Sequence, residues 1–367
     1  MITPRSEVEL AKAVATANAP LTVRGGGTRA MGEAHGIVLH TGALTGVTLY
    51  EPAALTLVVK AGTPLADIEA LLAGERQRLG FEPPDLRALL GRDGQSTIGG
   101  VVAANAAGPR GVQLGAARDA LLGVRFVDGR GDVISSGGRV MKNVTGYDLV
   151  KLLAGSHGSL GVLTEVSLKV QSLPETETTL IFDGLDEAAG LAVLRAAQAS
   201  PYDITGAARA GGRSYIRLEG MAGSVAYRTQ KLRDLGAADL ATDAASADIW
   251  RGLRDGAPLQ GRAGDIWHIV TLPTHAAALV ADITAQTGAD LASDVIYDHA
   301  GAAVWAALPE GVDAVLRARL GAMGQARKLR GAGAAPFGPQ IPAVTAVSGA
   351  IKAQFDPMGR FAQRAIF

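Results

Sequence analysis

The sequence has no cysteine, which excludes disulfides, iron–sulfur ligation, thiolate zinc sites and a cysteine nucleophile together. It also has no excess of charge: 35 lysines and arginines face 35 aspartates and glutamates. Without a net positive field, no nucleic-acid partner and no anionic membrane surface are expected. Near-zero net charge instead favours association with other subunits. No apolar run reaches the about 18 residues of a membrane span, so no direct span is expected. The opening Met1-Ile2-Thr3-Pro4-Arg5-Ser6-Glu7 lacks the apolar stretch of a secretion signal. These absences predict a cytoplasmic chain.

What is abundant is glycine, 48 of 367 residues, within a globular composition of 48% hydrophobic and 19% charged residues. The glycines cluster at 25–27, 99–100, 108–115 and 155–161. Clustering of this kind suits backbone that approaches a ligand closely or turns through positive φ, not a flexible linker. Ser6 with Glu9 three residues on predicts a capped helix through about Ala17. Short strands are predicted at 21–23, 37–40 and 56–60, and a helix after Gly62-Thr63-Pro64. Asp128-Gly129-Arg130-Gly131 between two β-rich runs predicts a hairpin. The segment from Ser96 to Gly115 carries little periodicity and reads as coil. Length and a break near residue 175 predict an α+β chain in three parts: 1–174, a smaller α+β cap over 175–340, and a closing segment over 341–367.

Gly25-Gly26-Gly27-Thr28-Arg29-Ala30 formally satisfies GxGxxG/A after a strand, with Glu51 about twenty residues on. A Rossmann loop, however, must open a crossover of at least about 10–12 residues that includes a helix. Gly32 and Gly36 interrupt the span and the next strand begins by Ile37, so no helix fits. A glycine turn whose amides form an anion nest fits instead, with the Thr28 hydroxyl as an added donor. The small-residue run Ser96 to Arg110 and the segment Gly155 to Leu163 repeat the theme.

In this order, with Pro83-Pro84-Asp85, Gly115–Gly123 and Tyr147–Val170 between and after them, these segments resemble the vanillyl-alcohol-oxidase or PCMH-type FAD-binding family. More closely, Met141 to Leu149 and Ile351-Lys352 with Phe355-Asp356-Pro357 are similar to the E-subunit family of bacterial glycolate oxidase, or glycolate dehydrogenase. The resemblance implies a two-subdomain FAD domain followed by the α+β cap and a C-terminal return to the FAD domain. It puts Arg24, Gly25, Gly26, Gly27, Thr28 and Arg29 at the pyrophosphate, and Pro84 in the same site. It puts Ser96, Thr97, Gly99, Gly100, Ala103 and Asn105 along the diphosphate, ribityl and flavin region. Gly158, Leu160, Gly161 and Val162 would sit beside the adenine or isoalloxazine face; Gly115, Arg118 and Asp119 would shape the fold. His35 and His40 fall outside the glycine turn, which predicts non-covalent FAD.

Related 2-hydroxy-acid dehydrogenases carry a metal site with two histidines in a segment resembling HAGDGNLH. Here the segment is His299-Ala300-Gly301-Ala302-Ala303-Val304-Trp305-Ala306, so one histidine stands among methyl groups and no metal is expected. No catalytic base is identified; Asp294, Asp298 and Arg217 are candidates for substrate contact. The degraded "FNPGR" at Gly359 to Arg364 predicts a looser C-terminal return. The resemblance implies a flavin-bearing subunit beside a catalytic flavoprotein subunit and an iron–sulfur subunit. The alternatives are a stand-alone FAD oxidoreductase for a small hydroxy-acid or alcohol, and a structural subunit that has lost its cofactor.

Overall fold

The computed structural model describes all residues except 30–34, 140–145, 333–335 and 363–367. Ala30, Gly32 and most of the Met141 to Leu149 motif therefore lie outside the described residues. The chain begins with the helix Glu7–Ala15, whose N-cap Ser6 hydroxyl accepts from the Glu9 amide at 3.1 Å. Strands Leu21–Arg24 and Ile37–His40 pair in parallel. The described part of their connection holds no helix.

The next sheet is antiparallel and five-stranded. Its order across the sheet is Val47–Glu51, Thr56–Lys60, Val162–Lys169, Leu121–Val127, Val133–Gly137. The last two strands form the hairpin around Asp128 to Gly131, with Val127 opposite Val133. Alternate residues of this sheet (Leu57, Val59, Val124, Phe126, Val166, Leu168) bury against the helices Leu65–Gly74 and Ile98–Ala103. That alternation is the period of a half-buried strand.

From Thr176 onward the chain builds a second, eight-stranded antiparallel sheet. One face buries Trp267, Ile269, Val304 and Ala306 under the helices Glu187–Gln198 and Ala276–Thr287. The opposite face presents Ile266, Ile296 and Ala307 to Leu86, Leu89 and Leu90 of the first half. The two sheets are thus joined through an apolar contact, not by the chain alone.

Beside that contact lies a buried cluster of charges. Arg217 donates to both oxygens of Glu82 at 2.9 and 2.8 Å, and Arg110 to both oxygens of Glu219 at 2.8 Å. Arg78 reaches Glu219 at 2.5 Å. Burial pushes both carboxyls up, but Arg217 and Arg110 beside Glu82, and Arg110, Arg217 and Arg78 beside Glu219, outweigh it and hold both below the usual carboxylate range. Arg217 is therefore committed to bridging the two sheets, which removes it as a substrate contact.

The C-terminal return is firm, contrary to the expectation from its altered turn. After the helix Pro342–Phe355, the Leu21 amide donates to the Arg360 carbonyl at 2.6 Å and the Ala362 amide to the Leu21 carbonyl at 2.9 Å. The buried Asp356 carboxylate accepts from the Arg360 and Phe361 amides at 2.7 and 2.8 Å. A carboxylate replaces the missing proline-glycine turn as the device that folds the tail back.

Removing one partner of a buried pair strands the other charge, at a cost of about 3–5 kcal/mol. Glu219→Ala is expected to lose stability of that order in denaturant titrations at pH 7. Because the folded pKa of Glu219 is depressed, its contribution is present above the ordinary carboxylate value of 4.5 and fades as pH falls below it. The gap between wild type and Glu219→Ala should therefore narrow when the titration is repeated in acid.

Candidate functional site

The first glycine turn leaves the strand Leu21–Arg24 and stacks on the segment before the helix Ile98–Ala103. A Cβ on Gly26 would stand 1.5 Å from the Gln95 carbonyl oxygen, and one on Gly25 would stand 2.3 Å from the Thr97 hydroxyl. These two glycines are required by chain packing. Gly27 takes a φ of +77°, where glycine is favoured for its conformation. The segment expected to be coil is a short helix instead, with Thr97 as N-cap: its hydroxyl accepts from the Gly100 amide at 3.4 Å. Its small residues satisfy a packing limit, since a Cβ on Gly99 would meet the Ala61 carbonyl at 2.7 Å.

The result is a cavity enclosing about 730 Å³ of unfilled space. Arg24 to Arg29, Thr97, Gly99, Gly100, Ala103, Gly158 and Gly161 line it together. The remaining sequence candidates stand elsewhere. Leu160, ahead of the strand Val162–Lys169, and Val162, its first residue, are buried in two different apolar cores, and Leu163 lines the cavity in their place. Pro84 and Asn105 line a neighbouring cavity, and the Asn105 side chain accepts from the Arg118 amide at 2.9 Å. Ser96 acts through Arg29, accepting a hydrogen bond from its guanidinium, as does the Pro84 carbonyl. Thr41 and Ala61 also line the cavity from outside the segments singled out in the sequence, and Ala104, Ser156 and His157 do so from within the Ser96–Arg110 and Gly155–Leu163 runs, where they were not named as site residues.

The polar character of this cavity is that of an anion site. None of the backbone N–H groups from Gly25 to Arg29 donates to a described residue. The buried Nε atoms of Arg24 and Arg29 also lack a partner among the described residues. Unmade bonds of this kind are costly in a folded chain unless a ligand completes them. Burial pushes the Arg29 guanidinium down to about 10, against the pull of Asp85 and Asp255, so it remains a cation at neutral pH. A dinucleotide with two anionic phosphates and an apolar ring system fits this donor set beside the small walls of Ala61, Ala103 and Ala104. His40 accepts from the Gly42 amide at 3.2 Å, and neither it nor His35 lines the cavity.

A second cavity, enclosing about 1060 Å³ of unfilled space, shares Arg29, Ala104 and His157 with the first. His268, His299, Asp298 and Arg327 line it among Leu86, Leu90, Val270, Trp305 and Leu329. His299 sits 3.2 Å from the Gly108 carbonyl through Nε2, and its amide donates to Asp298 at 2.8 Å. Val304 and Ala306, at the motif's asparagine and second histidine positions, are fully buried in the core. Among the described residues no three histidine, aspartate or glutamate side chains cluster as a metal site. Burial raises the Asp298 carboxyl and lowers the His268 imidazole well below its usual range, Arg327 and His299 adding to the latter. Asp294 pairs with Arg262 at 3.2 Å and does not reach this cavity. His268 and Arg327 were missed because they lie on two strands joined only by sheet pairing.

Residues 1–137 match the FAD_binding_4 family, described as an FAD binding domain. The chain is 33% identical over 346 residues to the glycolate oxidase subunit GlcE of Escherichia coli (strain K12), covering 93% of this chain and 91% of that protein. It is 34% identical over 198 residues to the glycolate oxidase subunit GlcD of Bacillus subtilis (strain 168), 52% of this chain but 41% of that one. Among solved structures, alkyldihydroxyacetonephosphate synthase shares the fold, with a TM-score of 0.68 at 16% identity over 97% of this chain and 75% of the other. The PCMH-type FAD fold expected from the sequence is therefore present, and the chain belongs to the family of the glycolate oxidase subunit GlcE.

Proposed function

We propose that this protein is the FAD-carrying subunit of a glycolate (2-hydroxy-acid) dehydrogenase complex, working beside a catalytic flavoprotein subunit and an iron–sulfur subunit. The observation that carries the reading is the run of uncommitted amides from Gly25 to Arg29, with the unpartnered Arg24 and Arg29 Nε atoms, facing one cavity. In this reading those groups hold the diphosphate, and Thr97, Gly99, Gly100, Ala103, Gly158 and Gly161 shape the rest of a non-covalent FAD site. Residues 1–174 then form the FAD domain, 175–340 the cap, and 341–367 the return. FAD supplies hydride and electron transfer, and the chain's own groups bind, orient and shield it.

The role within a complex is supported by the relatives named as glycolate oxidase subunits and by the filled metal position. Where a ligand set would be needed, His299 faces the Gly108 carbonyl and methyl groups. One observation favours a second reading, an oxidoreductase that works alone: a cavity bearing Arg327 and His268 adjoins the first.

The purified chain is expected to be yellow and to reduce no dye with glycolate alone, gaining activity when the two partner subunits are added. Robust turnover of glycolate by the isolated chain would establish the second reading and defeat the first. For the loop itself, Gly26 is a poor probe because any side chain there strikes Gln95. Gly100 lines the cavity, and a Cβ on it would meet only the Thr97 hydroxyl at 3.3 Å. Gly100→Asp is expected to lose at least about tenfold in FAD affinity from one misplaced carboxylate, with an unchanged circular dichroism spectrum, while Gly100→Ala stays yellow. Full flavin occupancy in Gly100→Asp would count against the site.

A further inference from the structure

We propose that the uncharged arm between Phe337 and Lys352, rooted beside the first cavity, is the docking surface for a partner protein that holds an iron–sulfur centre. The proposal rests on the reading as one subunit of a complex, and adds to it the surface and the partner that uses it.

Both ends of the arm are fixed at one turn. The Phe337 ring meets the His157 ring edge-on, with 5.5 Å between centres, and Lys352 Nζ donates to the Ser159 carbonyl at 2.8 Å. The residues between must therefore leave the body of the protein and come back to it. They return along the helix Pro342–Phe355. Seven consecutive residues, Ile341 to Val347, are each exposed, and seven residues pass about twice around a helix. Packing resumes at Ile351 and Phe355, which meet the core that holds Phe126.

The arm has the wrong chemistry for a solvated one. No residue from Gly338 to Ile351 is charged. Ile341, Val344 and Val347 are 66%, 42% and 61% exposed, so none of them serves the core. The helix Asp243–Arg254, which buries Trp250 and Ser246, carries Asp243, Asp248, Arg251 and Arg254 over a similar length. A helix that is apolar all round is ordinarily buried, and an apolar surface left in water marks a contact with another protein. Covering this arm desolvates no ion, which is the composition of an interface core.

Where the arm is rooted says what covers it. Ser156 and His157, in the anchoring turn, line the first cavity. Electron transfer weakens steeply with distance, so a protein seated on the arm stands where it can exchange electrons with a flavin in that cavity. The chain has no cysteine and holds no iron–sulfur relay of its own. That centre has to arrive on another protein. A second copy of this chain would bring a second flavin and no relay.

The same lack of cysteine supplies the test, because Val347→Cys gives the chain a single thiol. Its reaction with a maleimide, read by mass spectrometry on this chain, is followed alone, with the iron–sulfur subunit and with the catalytic flavoprotein subunit. The iron–sulfur subunit, present well above its dissociation constant, should slow labelling at least about tenfold. Tyr227→Cys, exposed on the second half of the chain, should label at its free rate throughout. Val344→Glu combined with Val347→Glu should weaken binding of the iron–sulfur subunit at least about tenfold by burying unpaired charge, with flavin absorbance per chain unchanged. Labelling indifferent to the iron–sulfur subunit, protection by the catalytic subunit or by concentrating the chain itself instead, or full affinity in the double variant would each overturn the proposal. A yellow chain that binds the iron–sulfur subunit while Val347→Cys stays reactive sinks this inference alone. A chain that binds neither subunit defeats the complex and this inference together.

Discussion

The closeness of two backbones governs the first cavity. Gly26 lies so near the Gln95 carbonyl that no side chain can stand between them, and Gly99 approaches the Ala61 carbonyl almost as closely. Pressed against that segment, the turn from Gly25 to Arg29 turns its amides away from the protein, since neither sheet nor helix is there to accept them. A binding surface made of main chain follows from packing. It has little dependence on which side chains surround it, which is how a fold can keep a cofactor site while other chemistry changes.

The second cavity depends on how the two large sheets are held. Leu86, Leu89 and Leu90 meet the sheet face that bears Ile266, Ile296 and Ala307, and the four-charge bridge of Glu82, Arg110, Arg217 and Glu219 lies beside that contact. Apolar contact gives the association its strength and tolerates sliding; paired guanidinium and carboxylate forks tolerate very little. The pairing therefore sets the spacing between Arg29 on one side and Arg327 on the other.

Much of this was legible in the residues. The capped first helix, the short strands and the 128–131 hairpin all rest on local signals, and local signals survive folding. The helix Ile98–Ala103 was misread as coil because its glycines and alanines carry no amphipathic stripe; Thr97 as cap was the available sign. Leu160 and Val162 were placed at the ligand because the segment was read as a unit, though each is buried in an apolar core and only Leu163, next along the strand, reaches the cavity. Arg217 looked available as a charge on a strand, and only its pairing with Glu82, far away in the chain, revealed its use. Asp356 carried no visible role until its carboxylate was found gathering the amides of Arg360 and Phe361.

The altered HAGDGNLH segment has a consequence in charge as well as in ligands. Ala302, where the motif has aspartate, stands on the cavity wall without a negative group, while Ala306, where it has the second histidine, is buried in the core on the other face of its strand. Here Arg327 and Arg29 stand on the wall of that cavity, and Asp298 is disfavoured as an anion by its burial. The wall thus stays electropositive without a metal. Guanidinium does so with a fixed fork that orients a carboxylate, but it cannot polarise a hydroxyl as a Lewis acid does. Under the proposed reading, that difference fits a subunit that carries flavin beside a separate catalytic one.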